Sequence, residues 1–322
     1  MAADQPEDLV AAGLADLELA RWVRGLRQAG SQPAAEAGPA ALRRASQARA
    51  GQRPRGPDLP VVTDLTVAAG LATRLYRPAR QPRPLTLFLH GGAFMLGDLE
   101  SHDNLCRWLA RVADLAVLAV GYRRAPEYPA PAAVDDAMAV FAWAAGRPAE
   151  LGADPAAGIG LAGDSAGATI ALLAAAALRD HGTPASALLL ACPNADMTLS
   201  QPSVQELGRG WGLDADDMRW FIAQWIPDPA QRSSPRFSPL RADLAGLPPA
   251  VIGTAGHDPL RDEGAALAGR LRAAGASVQH RHYPGLVHGF VMLGEVSPAA
   301  ARAREDLLGV FGRVMHGQPP AG

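Results

Sequence analysis

Residues 158–178 read GIGLAGDSAGATIALLAAAAL, an apolar run, a sharp glycine-flanked turn and a long alanine- and leucine-rich run. The first run, Gly158–Ala162, has strand length, whereas Ala166–Leu178 is long enough for a helix. Between them Gly163-Asp164-Ser165-Ala166-Gly167 matches G-x-S-x-G. Random order of this composition would give roughly 0.13 such matches, so the pattern alone is modest evidence. Its setting strengthens it, because strand, turn and helix are what a nucleophile elbow requires. Glycines two residues to either side let strand and helix approach closely, and the strained turn lifts the serine hydroxyl above the sheet. There it stands at a helix start, whose positive dipole end favours negative charge. The competing reading is a glycine-rich turn with an N-capping serine. Ser165 is the candidate nucleophile.

Outward from this unit the alternation continues. Strand-like runs lie at Leu85–His90, Ala116–Tyr122, Gly158–Gly163, Ala187–Pro193, Ala250–Ala255 and, more polar, Val278–Tyr283. Helical stretches fall at about 101–113, 131–145, 166–181, 214–225, 262–274 and 297–315. This predicts an α/β fold with a mostly parallel central sheet flanked by helices. Residues 61–78 alternate less cleanly and are candidates for antiparallel edge strands. The first fifty residues read as a separate helical arm. Leu9, Leu14, Leu17, Leu19, Trp22, Val23 and Leu26 follow a helical face, and a Gly/Pro/Arg linker spans 51–60. Residues 200–240 break the alternation with Trp211, Trp220, Phe221 and Trp225, either a cover for something or ordinary helix packing.

Acyl-transfer chemistry needs three further parts. Negative charge on a tetrahedral intermediate needs waiting N–H donors. His90-Gly91-Gly92-Ala93-Phe94 follows a strand and precedes the serine, so Gly91, Gly92 and Ala93 are candidate donors, joined by Ala166 from the elbow. A serine hydroxyl also needs a base. His288, in the loop between the last strand and the last helix, is the candidate, while His90 is read as fixing its loop by hydrogen bonding. The orienting acid should end a strand before the histidine, which points to Asp258. Asp262 and Glu263 are rivals that fall in a first helical turn, where acids are common caps. Serine, acid and then histidine is the order expected of this architecture.

Composition excludes other classes. The formal charge is −2 with dispersed signs, so no basic field invites nucleic acid. The chain contains no lysine, which removes Schiff-base chemistry with pyridoxal phosphate. No His/Asp cluster has metal-ligand spacing. No apolar stretch is long enough to span a bilayer, and Met1–Leu9 does not resemble a secretory signal. Cys106 and Cys192 read as buried free thiols rather than a disulfide, which suits a reducing compartment, and the expected location is cytoplasmic.

With these residues in place, the sequence resembles the bacterial hormone-sensitive-lipase-like esterases of the α/β-hydrolase superfamily. The resemblance spans Leu85 to Phe290. It rests on His90-Gly91-Gly92-Ala93-Phe94, Tyr122-Arg123-Arg124-Ala125-Pro126-Glu127, Gly163-Asp164-Ser165-Ala166-Gly167, Asp258-Pro259-Leu260-Arg261-Asp262-Glu263 and His288-Gly289-Phe290. It implies an α/β-hydrolase fold with a helical cap, built from residues 1–52 and an insertion at about 200–230, on a catalytic domain of residues 53–322. It implies hydrolysis of short- to medium-chain acyl esters without metal or cofactor, often in a homodimer. The acyl pocket would be lined by Phe94, Trp211, Phe221 and Phe290. Asp196 would order the cap junction. Ala93 stands where the family usually has a third glycine, and its methyl narrows the space beside the scissile carbonyl, which tells against tertiary-alcohol esters. The alternatives on the same site are a serine amidase, lactonase or peptidase. A non-catalytic binding protein of this fold is the reading from a different class, and the retained His288 argues against it.

Overall fold

The structure, a computed structural model, describes residues 5–30, 32–67 and 70–318. Its strands are β1 (Val61–Val67), β2 (Leu71–Arg77), β3 (Leu85–Leu89), β4 (Ala116–Val120), β5 (Ile159–Asp164), β6 (Leu188–Ala191), β7 (Ala250–His257) and β8 (Val278–Val287). They form one eight-stranded sheet in the order β1-β2-β4-β3-β5-β6-β7-β8. β1 and β2 pair antiparallel with each other, β2 pairs antiparallel with β4, and every later ladder is parallel. The fold class is as expected, and β1 and β2 supply the antiparallel edge.

Among the described residues, eleven α-helices accompany the sheet: α1 (Pro6–Ala11), α2 (Leu17–Ala29), α3 (Ala34–Ala50), α4 (Asp103–Ala113), α5 (Ala132–Ala145), α6 (Pro148–Leu151), α7 (Ala166–Asp180), α8 (Pro202–Leu207), α9 (Ala215–Trp225), α10 (Arg261–Ala273) and α11 (Pro298–Met315). Alternation along the strands divides the core in two. Leu85, Leu87 and Leu89 of β3 face a cluster shared with α5, α7 and α10, while Phe88 faces one shared with α4 and α11. Successive side chains of a strand point to opposite faces, so a central strand covered on both sides must be apolar throughout. Both thiols are free and buried, as read from the sequence.

The N-terminal segment divides its contacts. α1 and α2 pack Leu9, Leu19, Ala20 and Val23 into the cluster that holds α11. The Ala15 N–H donates to Gly285 O, and the Asp16 carboxylate accepts from Ser297 Oγ at 2.6 Å and Ala299 N at 2.9 Å. α3 instead lies against α9. The Ala34 N–H donates to Asp217 at 2.8 Å, and Ala34 and Leu42 pack with Met95, Trp220 and Phe221. α3 breaks at Gly38, whose φ of 74° leaves the helical region just before Pro39. No helix among the described residues is long and apolar enough to cross a membrane.

Candidate active site

β3 and β5 are neighbours in parallel register, with Leu89 opposite Gly163, so the loops after them leave the sheet side by side. Ligand sites in open α/β sheets lie at such strand ends. The turn after β5 is strained, with Ser165 at φ 52° and ψ −123°. Its amide donates to Ala191 O at 2.7 Å, and its carbonyl accepts from Ala168 N. The flanking glycines are required by space. A Cβ on Gly163 would strike the Gly167 backbone, and one on Gly167 would strike the carbonyls of Leu89 and His90.

The three candidates of the charge-relay order converge. His288 Nε2 lies 3.0 Å from Ser165 Oγ, and His288 Nδ1 lies 2.9 Å from Asp258 Oδ2. The carboxylate only accepts, so Nδ1 carries the proton and Nε2 is left to accept from the serine hydroxyl. The other oxygen of Asp258 accepts the Leu260 N–H at 2.8 Å, which fixes the carboxylate plane. Burial pulls the His288 imidazole down, but the charge and hydrogen bond of Asp258 outweigh it and hold it above the ordinary histidine value. Cys192 lies beneath this pair. Among the described residues, Cys192, Asp258 and His288 are the one group of ligand-type atoms within 4.8 Å of one another. Burial pushes the Cys192 thiol well up, so it remains a neutral neighbour of the carboxylate.

The loop after β3 differs from expectation at one position. The Gly91 N–H donates to the Asp164 carboxylate at 2.9 Å, so it does not face a substrate. Asp164 sits inside the quoted motif, yet its partner lies 73 residues away, and no local pattern signals the bond. Gly92, Ala93 and Ala166 keep N–H groups with no acceptor among the described residues. Ala93 and Phe94 both hold left-handed backbone, at φ 54° and 64°. His90 does not reach the serine. It bonds Gly91 O, stacks on Tyr122 at 4.2 Å between centroids, and is held neutral by burial, its imidazole lowered to about 3. The Tyr122 hydroxyl donates to His90 O at 2.7 Å, and His102 lies 3.3 Å from Asp164. Burial would raise the Asp164 carboxyl, but His102 and the Gly91 N–H keep it below the usual range.

A narrow cavity of about 20 Å³ opens at Ser165, lined by Ala93, Phe94, Ala166, Asn194, Leu213, Met218, Phe221, Ile222 and Leu260. Two of the four aromatics expected there, Phe94 and Phe221, line it. The Phe94 ring stacks face to face on Trp225 at 3.8 Å. Trp211 and Phe290 do not line it. Trp211 stacks on His257, and the Arg27 guanidinium lies over the Trp211 ring at 4.7 Å from its centroid. Phe290 is fully buried against Tyr283 and near Gly253, beneath the histidine loop rather than beside the serine. A separate cleft of about 690 Å³ between Arg83, Asp114 and Met315 sits at the opposite ends of the strands.

The two rival acids also take distinct places. Asp262 accepts from Ser203 N and pairs with Arg261. Glu263, read from sequence as a first-turn cap, is fully buried and accepts the N–H groups of Ala195 and Asp196. Asp196 in turn accepts from Thr198 and Ser200, ordering the chain where it enters the 200–240 region.

Comparison with known proteins agrees with this geometry. A family described as alpha/beta hydrolase fold matches residues 86–292. The carboxylic ester hydrolase LipN of Mycobacterium tuberculosis is 42% identical over 266 residues, covering 79% of this chain and 70% of that protein. The ethyl acetate hydrolase of Pseudomonas putida is 40% identical over 234 residues, covering 70% and 73% of the two chains. Among solved structures, a thermostable esterase from Pseudomonas putida superposes with a TM-score of 0.87 at 31% identity, covering 94% of this chain and 98% of that one.

Proposed function

The chain belongs to the α/β-hydrolase fold family, in its hormone-sensitive-lipase-like esterase branch, and from that premise we propose that Ser165, His288 and Asp258 are its catalytic triad. The chain is a serine ester hydrolase, and its substrates are small carboxylic esters. The single observation that supports the assignment is His288, bonded at once to the Asp258 carboxylate and the Ser165 hydroxyl.

In acylation, Ser165 Oγ attacks the ester carbonyl carbon while its proton passes to His288 Nε2. The oxyanion that forms is met by the N–H groups of Gly92, Ala93 and Ala166. Collapse expels the alcohol, which takes the proton from His288. Water then repeats the sequence on the acyl-enzyme, with its proton moving through the same nitrogen, and releases the acid. Asp258 keeps Nδ1 protonated throughout and stabilises the imidazolium. Phe94, Met218 and Phe221 bound the acyl group, and a cavity this narrow favours short chains. Helices of residues 1–52, with the insertion at about 200–230, form the cap over it. The two buried thiols support a reducing, cytoplasmic location.

The deciding experiment is hydrolysis of nitrophenyl esters from acetate to dodecanoate by the wild type and Ser165→Ala. The expected result is a short-chain optimum and a variant reduced by about 10⁴-fold or more. Turnover confined to amide or lactone substrates would move the assignment to those reactions on the same triad.

A further inference from the structure

One guanidinium joins the N-terminal segment to the turn that carries the oxyanion donors. Arg43 Nε donates to Met95 O at 3.1 Å, and Nη2 donates to Ala125 O at 2.7 Å. The same group forms a two-pronged pair with Glu127 at 2.7 and 2.6 Å. These contacts straddle the bond from Ala125 N to Phe94 O, which ties the oxyanion loop to the segment after β4. Met95 N and Leu96 N both donate back to Gly92 O, so the carbonyl that Arg43 holds belongs to the same tight turn as the candidate donors.

That turn needs holding. Ala93 and Phe94 are consecutive non-glycine residues in left-handed backbone, a conformation that persists only where surrounding contacts enforce it. Tyr122 holds the entry at His90 O, Asp164 holds Gly91 N, and Arg124 bonds the exit at Gly97 O. All three come from the sheet-bearing part of the chain. Among these clamps only Arg43 comes from the first fifty residues, and its planar fork suits two carbonyls and a carboxylate at once.

We propose that Arg43 is a positioning residue for the oxyanion loop, so that the N-terminal segment completes the catalytic turn as well as covering it. The inference rests on the triad assignment above. Docking of α3 and competence of the oxyanion donors are then one event: a molecule with α3 displaced loses the Met95 clamp and stabilises the transition state poorly.

The test compares wild type, Arg43→Ala, Arg43→Lys, Glu127→Gln and Ser165→Ala on nitrophenyl acetate. In parallel, an alkyl trifluoromethyl ketone is measured as an inhibitor. Ser165 Oγ adds to the ketone carbon, its proton moves to His288, and the hemiketal oxygen carries the charge that the loop must meet. Arg43→Ala is expected to lower kcat about 10- to 100-fold with KM changed less than about twofold, and to weaken the ketone by the same factor. Arg43→Lys should recover part of the loss, and Glu127→Gln should lose about two- to threefold. If Arg43→Ala shows no cooperative melt, the same ranking in Arg43→Lys and Glu127→Gln decides. Wild-type kcat and ketone affinity in the arginine variants would overturn the proposal, as would a kcat loss that leaves the ketone unaffected. A wild type without ester turnover, equal to Ser165→Ala, would sink the hydrolase reading and this inference with it.

Discussion

The elbow at Ser165 and the loop at residues 90–97 leave adjacent strands, and both hold strained backbone, but they are held in different ways. The elbow is held by close packing: the missing side chain of Gly163 lets β5 meet α7, that of Gly167 lets α7 meet the end of β3, and the Ser165 amide is pinned by the neighbouring strand at Ala191. The loop at residues 90–97 is held from outside, by Tyr122, Asp164, Arg124 and Arg43, which lie 27 to 73 residues from their partners. A turn secured by close packing either exists or does not. One secured by separate side chains can lose them one at a time, and its activity is expected to fall in steps.

The largest effect should therefore come from the elbow. Gly167→Ala places a methyl against the Leu89 carbonyl, and we expect loss of the folded protein or of at least about 10³-fold in activity, read by melting and ester turnover. A soluble, active Gly167→Ala enzyme would show that the turn has slack. Asp258→Asn comes next, with about 10³- to 10⁴-fold lower kcat. It also tests the imidazole. His288 must be neutral to act as base, and its value is raised, so kcat/KM should fall as pH drops through a midpoint above the ordinary 6.5. Removing the Asp258 charge should move that midpoint down.

The loop's clamps predict smaller steps. Asp164→Asn keeps an acceptor for the Gly91 N–H but removes the charge, and a fall of about 10- to 100-fold in kcat with intact folding is expected. A drop as deep as that of Gly167→Ala would erase the distinction between the two turns. Smallest is Met218→Ala in the cavity wall, which should shift the preferred acyl chain upward by a few carbons, with rates on acetate changed about two- to fivefold. Rates on an ester series read this directly.

The contrast also explains what the sequence reveals. The elbow is written in five consecutive residues, and the strand–helix pattern around it needs only the two periodicities. The proposed triad is legible because each candidate ends a strand and their chain order is fixed by topology. Gly91 was expected among the oxyanion donors, yet its N–H points to Asp164, a pairing made only when β3 and β5 align. Arg43 is one arginine among many in an Ala/Arg-rich stretch, with nothing local to mark it. Phe290 adjoins the histidine motif in sequence, but the turn after Gly289 sends its ring down into the core. Glu263 reads as a cap because burial of a helix's first turn cannot be seen until the 193–200 segment lies over it.

Ala93 gives the loop an evolutionary reach. At a φ of 54° its Cβ is tolerated rather than favoured, and glycine fits the same backbone without rearrangement. The change to glycine removes a methyl from the space beside the scissile carbonyl and relaxes a conformation that costs about 1–2 kcal/mol in an L-residue. More room for the alcohol group and an undiminished fold are thus the expected outcome of one amino-acid substitution. Such a neighbour is easy for natural variation or directed selection to find, because no compensating change must arrive first.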